Sequence, residues 1–167
     1  MSRAWAMTWN DFGAALLGAA LLLPAGSVLA ADCVPDRLDL RQGETTLRFR
    51  VEVADDAAER SRGLMYREQL PRFGGMLFVY DAPEPVAFWM KNTLIPLDML
   101  FFDASGRLAA VHENAVPGDL TPIPGGDAIQ YVLEINGGAA RRLGIVPGAE
   151  LRHPALDQAQ AAWPCDG

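Results

Sequence analysis

The chain has 167 residues, half of them hydrophobic, enough for one domain with a single core. Its 21 acidic residues outnumber 14 basic ones and give a formal net charge of −7. So acidic a chain, with scattered arginines, argues against nucleic acid as a partner.

Residues 1–31 read as an export signal. Arg3 gives a weakly positive start, and the run from Ala14 to Leu23 is apolar. Pro24 and Gly26 break it, and Val28-Leu29-Ala30 offers small residues for cleavage after Ala30 or Ala31. An uncleaved anchor is the alternative, because Phe12–Ala31 carries no charge and approaches spanning length. The order of break and small residues favours cleavage. Asp32 is not the small residue that lipid attachment at Cys33 needs. The expected organisation is a signal peptide over 1–31 and one β domain over 32–167. The expected location is periplasmic or secreted, with no membrane attachment after cleavage. Removal takes Arg3 and Asp11 together, so the mature charge stays at −7.

The cysteines are Cys33 and Cys165, near the two ends of the mature chain. In an oxidising compartment they most simply form one disulfide. Closing so long a loop stabilises by about 4–5 kcal/mol in the chain-entropy account. No histidine sits at ligand spacing to either cysteine, so no metal is expected there.

Thr45–Val53 alternates Leu47, Phe49, Val51 and Val53 with polar residues, the period of a half-buried strand. Asp55 or Asp56 then caps a short helix through Arg62, and Gly63 stops it. Pro71 to Gly75 reads as a loop and Met76–Tyr80 as a strand. Asp81 to Pro85 reads as a turn, since Pro83 and Pro85 exclude helix. From Val86 a second strand points Val86, Phe88 and Met90 inward and Ala87, Trp89 and Lys91 outward. Pro96 interrupts any ladder nearby. Met99–Phe102 and Leu108–Val111 flank a hairpin turn at Asp103–Gly106. Pro117 to Asp127 reads as a long loop, of the kind that is functional or mobile. Ile129–Ile135 is a strand with Glu134 on the face opposite Ile135. Gly137–Leu143 suggests a helix ended by Gly144, and a last strand lies near Glu150–Arg152. The fold class is therefore mainly β: a single-domain sandwich or barrel with two short helices.

Lys91 is the sole lysine of the chain. In a chain that otherwise uses arginine, this hints at a place where a compact point charge fits and a planar fork does not. Alternation puts it on one face with Trp89, while Asn92 and Asp98 follow closely in sequence.

Several motifs together resemble the DUF192 family. They are Glu59-Arg60-Ser61-Arg62-Gly63-Leu64-Met65-Tyr66-Arg67, then Gly75-Met76-Leu77-Phe78, then Phe88-Trp89-Met90-Lys91-Asn92-Thr93 with Ile95-Pro96-Leu97-Asp98, and last Val132-Leu133-Glu134. The resemblance runs from about Leu47 to Arg152 and implies an exported bacterial protein with a compact, mainly β fold. It places Arg60, Gly63, Met65, Arg67, Met76, Trp89, Lys91, Asn92, Asp98 and Glu134 on motif positions and assigns a role to none. Tyr80 stands where phenylalanine is common.

The chemistry these residues support is first a binding surface. Trp89 supplies a flat apolar face, Lys91, Asn92 and Asp98 supply orientation, and Arg60, Arg62 and Arg67 supply an anion clamp. A small polar ligand, a sugar or a peptide suits that mixture; the oligomeric state stays open. The alternative is a hydrolase using Lys91, Asp98 or Glu134, with Asp98 and Glu134 as a carboxylate pair. Only His112 and His153 are available for a triad, and no nucleophile elbow surrounds Ser61 or Ser105. A copper site of Met65, Met76, Met90 and Met99 is the third reading, although methionine at apolar positions is ordinarily core. No cofactor is expected.

Overall fold

The computed structural model describes Met1 and residues 33–166, so the expected export signal lies outside the described residues apart from Met1. The elements in order are β1 (Arg37–Gln42), β2 (Thr45–Ala54), α1 (Ala57–Arg62), β3 (Gly74–Phe88), β4 (Leu97–Phe102), β5 (Leu108–Ala115), β6 (Ile123–Asn136), α2 (Ala139–Leu143) and β7 (Glu150–Arg152). The strands form one seven-stranded sheet in the order β5-β4-β6-β3-β2-β1-β7. Every neighbouring pair is antiparallel except β2 and β3. A parallel pair needs a crossover, and α1 with the segment after it supplies one.

The sheet curls into a half-barrel. Its edges meet where Arg107 bridges Glu150, and Leu108 N donates to Ala149 O at 2.8 Å. The fold is thus mainly β with two short helices, as expected, and of the two architectures anticipated it is the curled one.

The central strands are apolar on both faces. Leu77, Leu100, Leu133 and Ile135 join β1, β2 and α2 in one core. Phe78, Met99, Phe101 and Val132 join Leu64 and Met90 in the other. Two-sided burial makes the middle of β4 and β6 read as a nearly continuous hydrophobic run.

Two expectations need correction. Asp81–Pro85 is not a turn: β3 runs on through it to Phe88, and the ladder with β6 absorbs the prolines as register shifts between Val79 and Ala87. Proline cannot donate to a ladder but is tolerated at a bulge. The loop expected over Pro117–Asp127 is shorter, because β6 already starts at Ile123. One strand, β1, went unrecognised. Its pattern of two leucines among charges is brief, but Gly43 with φ 58 closes a hairpin that pairs it with β2.

The remaining elements follow local chemistry. Asp56 caps α1 by accepting from Glu59 N at 2.8 Å. Gly63 ends that helix at φ 49, and a Cβ there would meet Phe78 Cζ at 3.2 Å, so the backbone lies close on the sheet. Cys33 and Cys165 form the disulfide, tying the two ends of the described domain. No helix among the described residues is long and apolar enough to cross a membrane.

Candidate functional site

The site begins with the register of β6. Glu134 pairs with Met76 of β3 and Met99 of β4, so its neighbours on that face are thioethers. It is only 4% exposed. Burial pushes its carboxyl up to about 8, so the acid is largely neutral at pH 7. Among the described residues no hydrogen bond or ion pair offsets that burial, yet the carboxyl is not sealed in. It opens into a cleft of about 490 Å³ between α1, β3 and the segment 89–93.

The walls are aromatic and cationic. Tyr80 and Phe88 come from β3, Arg60 and Arg62 from α1, and Trp89 and Lys91 from the chain just past β3. The Lys91 ammonium lies 5.1 Å from the Trp89 ring centroid, and Trp89 is half exposed. Arg60 Nη1 donates to Asp55 O at 2.6 Å and Val79 O at 2.8 Å, and its guanidinium lies 5.1 Å from the Tyr80 ring. Burial pushes the Tyr80 phenol up; Arg60 opposes this, while the nearby carboxylates of Glu84 and Glu134 add to it. Glu134 and Tyr80 therefore both hold their protons at neutral pH.

Most arginines outside this cleft are ion-paired, although Arg72 and Arg142, beside a second depression, are in none of the described ion pairs. Arg41, Arg48, Arg50, Arg67, Arg107, Arg141 and Arg152 all meet carboxylates. Among the described ion pairs none involves Arg60, Arg62 or Lys91. Asp81 and Glu84 also line the cleft without forming ion pairs.

Of the residues singled out from the sequence, Arg60, Trp89, Lys91 and Glu134 meet in this cleft. Arg67 does not: it pairs with Glu52 at 2.5 Å beside a separate, smaller depression. Asn92 is a turn residue at φ 55. Its carbonyl accepts from Tyr66 N at 2.8 Å and its amide donates to Met65 Sδ at 3.8 Å, fastening the segment after α1 to the segment after β3.

Asp98 is the larger departure. It is fully buried on the other face of the sheet. Its Oδ1 accepts from Asn114 N at 2.8 Å and Gly138 N at 2.7 Å, and its Oδ2 from Ala140 N at 2.7 Å. Gly138 has no side chain to cap α2, so Asp98 caps it from a strand. Asp98 and Glu134 thus have a sheet between them and cannot act as a carboxylate pair on one substrate. Lys91 likewise has no Asp98 beside it.

Met76, Met90 and Met99 are buried among apolar neighbours, and only Met65 reaches the cleft wall. Among the described residues no cluster of His, Cys, Asp and Glu is placed to hold a metal ion. Tyr80, Phe88 and the rim carboxylates Asp81 and Glu84 were not singled out beforehand. Tyr80 carried a signal, since it continues the alternation Met76, Phe78, Tyr80 onto the face that bears Glu134.

Comparison with known proteins places the chain in context. Residues 39–153 match the DUF192 family, described as Uncharacterized ACR. No curated protein matches. A protein of unknown function from Novosphingobium aromaticivorans DSM 12444 is 42% identical, with a TM-score of 0.67 over 69% of this chain and 82% of its own. A proposed transcription regulator from Sinorhizobium meliloti 1021 is 41% identical, with a TM-score of 0.71 over 75% of this chain and 98% of its own.

Proposed function

We propose that this chain, which belongs to the DUF192 family, binds a small polar ligand in the cleft above Glu134. The observation that carries this is the carboxyl itself. A carboxyl buried without a partner costs several kcal/mol relative to one in water. A core position flanked by Met76 and Met99 would more stably hold a third apolar residue. Spending that stability on a group that opens into a cleft suits recognition. Trp89, Phe88 and Tyr80 offer flat faces to a sugar ring or a peptide side chain, and Lys91, Arg60 and Arg62 offer orienting charge. Export to an oxidising compartment belongs to the same reading, supported by the Cys33–Cys165 disulfide.

Intrinsic fluorescence tests the binding. Outside the expected signal only Trp89 and Trp163 remain, and Trp163 is buried against Arg41 and Arg152. Titration with sugars, dipeptides and small carboxylates should give a saturable change in the wild-type protein for one class, and none in Trp89→Ala. A wild-type response no larger than that of Trp89→Ala for every class would defeat the proposal.

A further inference from the structure

We infer that the ligand of this cleft is an organic anion, held by its carboxylate between the Glu134 carboxyl, the Tyr80 phenol and the cations at the rim that are in none of the described ion pairs. The inference rests on the binding reading above and narrows it to one chemical class.

The donors come first. A neutral carboxylic acid and a phenol each present an O–H, and no described protein group accepts from either. Arg60 spends Nη1 on two carbonyls, leaving its Nε and Nη2 hydrogens without protein acceptors. The site is therefore rich in unused donors, and what it lacks is an acceptor. A carboxylate has two oxygens and about four lone-pair sites, and it gains most when its donors are themselves charged.

A cationic guest fits less well. Lys91 already covers the Trp89 face and Arg60 the Tyr80 face, the two positions an ammonium would seek. With Arg62 they would repel it. A neutral sugar would meet the same covered ring faces and would leave the three cations without a counter-charge. Asp81 and Glu84 at the rim oppose an anion, and they limit how many negative charges the guest can carry. A monocarboxylate with an apolar or aromatic body satisfies both conditions.

The charged and titratable groups around Glu134 are Arg60 and Arg62 from α1, Tyr80, Asp81 and Glu84 from β3, and Lys91 beyond it. An anion next to Glu134 favours its protonated form. Raising the pH through Glu134's own titration must then weaken anion binding, because the free protein loses the proton that the complex needs.

Three probes of one shape separate the classes: phenylacetate, phenylacetamide and phenethylamine, measured by calorimetry on the full domain, with methyl glucoside as the sugar. At pH 6.5 phenylacetate should bind at least tenfold more tightly than the other two phenyl compounds. Its affinity should drop about tenfold from pH 7 to pH 9 for an acid titrating near 8. Glu134→Gln keeps a neutral donor and should bind phenylacetate with less than twofold change over that range. Preference for the amine or the amide, or an unchanged pH slope in Glu134→Gln, overturns the inference. Binding of methyl glucoside or phenethylamine without phenylacetate leaves the binding cleft standing and removes the anion. No binding by any of the four removes both.

Discussion

Asp98 and Glu134 occupy neighbouring strands one register step apart, and both are buried in the same sheet. Their surroundings are opposite. Asp98 accepts three backbone N–H bonds and caps a helix. Glu134 accepts none and faces a cleft between two methionines. A carboxyl group and its burial are shared, so neither distinguishes a structural acid from a candidate site acid. What distinguishes them is whether the protein itself satisfies the oxygens. One face of the sheet uses a carboxylate to hold the fold together, and the other keeps a carboxylic acid in reserve.

The largest expected effect breaks the first half of that comparison. Asp98→Ala leaves three buried N–H groups without an acceptor and uncaps α2. At roughly 1–3 kcal/mol for each unsatisfied group, partly relieved by water, the loss should be about 4 kcal/mol. Urea denaturation at pH 7 measures it. A loss below about 1 kcal/mol would mean that Asp98 is not the fastening described.

Glu134→Gln should do the reverse, and only at higher pH. The acid's folded pKa, about 8, lies above its ordinary value of 4.5. The native state therefore keeps a proton that the unfolded chain releases, and wild-type stability falls as pH rises between those values. Above about 8 both states are ionised and the penalty is complete. Glutamine does not titrate, so the variant should gain on wild type by up to about 1.4 kcal/mol per pH unit, or roughly 3–4 kcal/mol between pH 5 and pH 8. Thermal or urea unfolding of both proteins at pH 5 and pH 8 checks it. Equal stability differences at the two pH values would show that Glu134 is not held neutral.

The contrast was only half legible in the sequence. Alternation located β2, the β4–β5 hairpin and the core of β6, and capping residues located α1 and the end of α2. Those signals are local. Alternation also assigned Glu134 to the face opposite Ile135, but whether that face met water depended on α1, Leu64 and the far half of β3 covering it. The run Tyr131-Val132-Leu133 held a clue, because three consecutive apolar residues imply burial on both faces. Asp98 misled through proximity: it stands seven positions after Lys91, yet Pro96 and the start of β4 carry it to the other side of the sheet. Asp81–Pro85 misled because prolines mark turns more often than bulges, and only pairing with β6 decides between them.

The smallest expected effect lies at the rim and asks why the chain keeps one lysine. Lys91 has no carboxylate partner among the described ion pairs, and its nitrogen sits over the half-exposed Trp89 ring. A cation–π contact at such a site contributes roughly 0.5–1 kcal/mol. Lys91→Met keeps the apolar stem against the indole, so folding stability should fall by no more than about 0.5 kcal/mol. Lys91→Arg keeps the charge and stacks well on an aromatic face, so it should be neutral for stability. The two variants diverge in binding if the ammonium serves the cleft. Methionine should weaken phenylacetate severalfold by removing charge. Arginine should weaken it too, because its wider fork crowds the space between Trp89 and Glu134. Full binding in Lys91→Arg would show that any cation suffices there, and the lone lysine would then reflect codon history rather than the shape of the site.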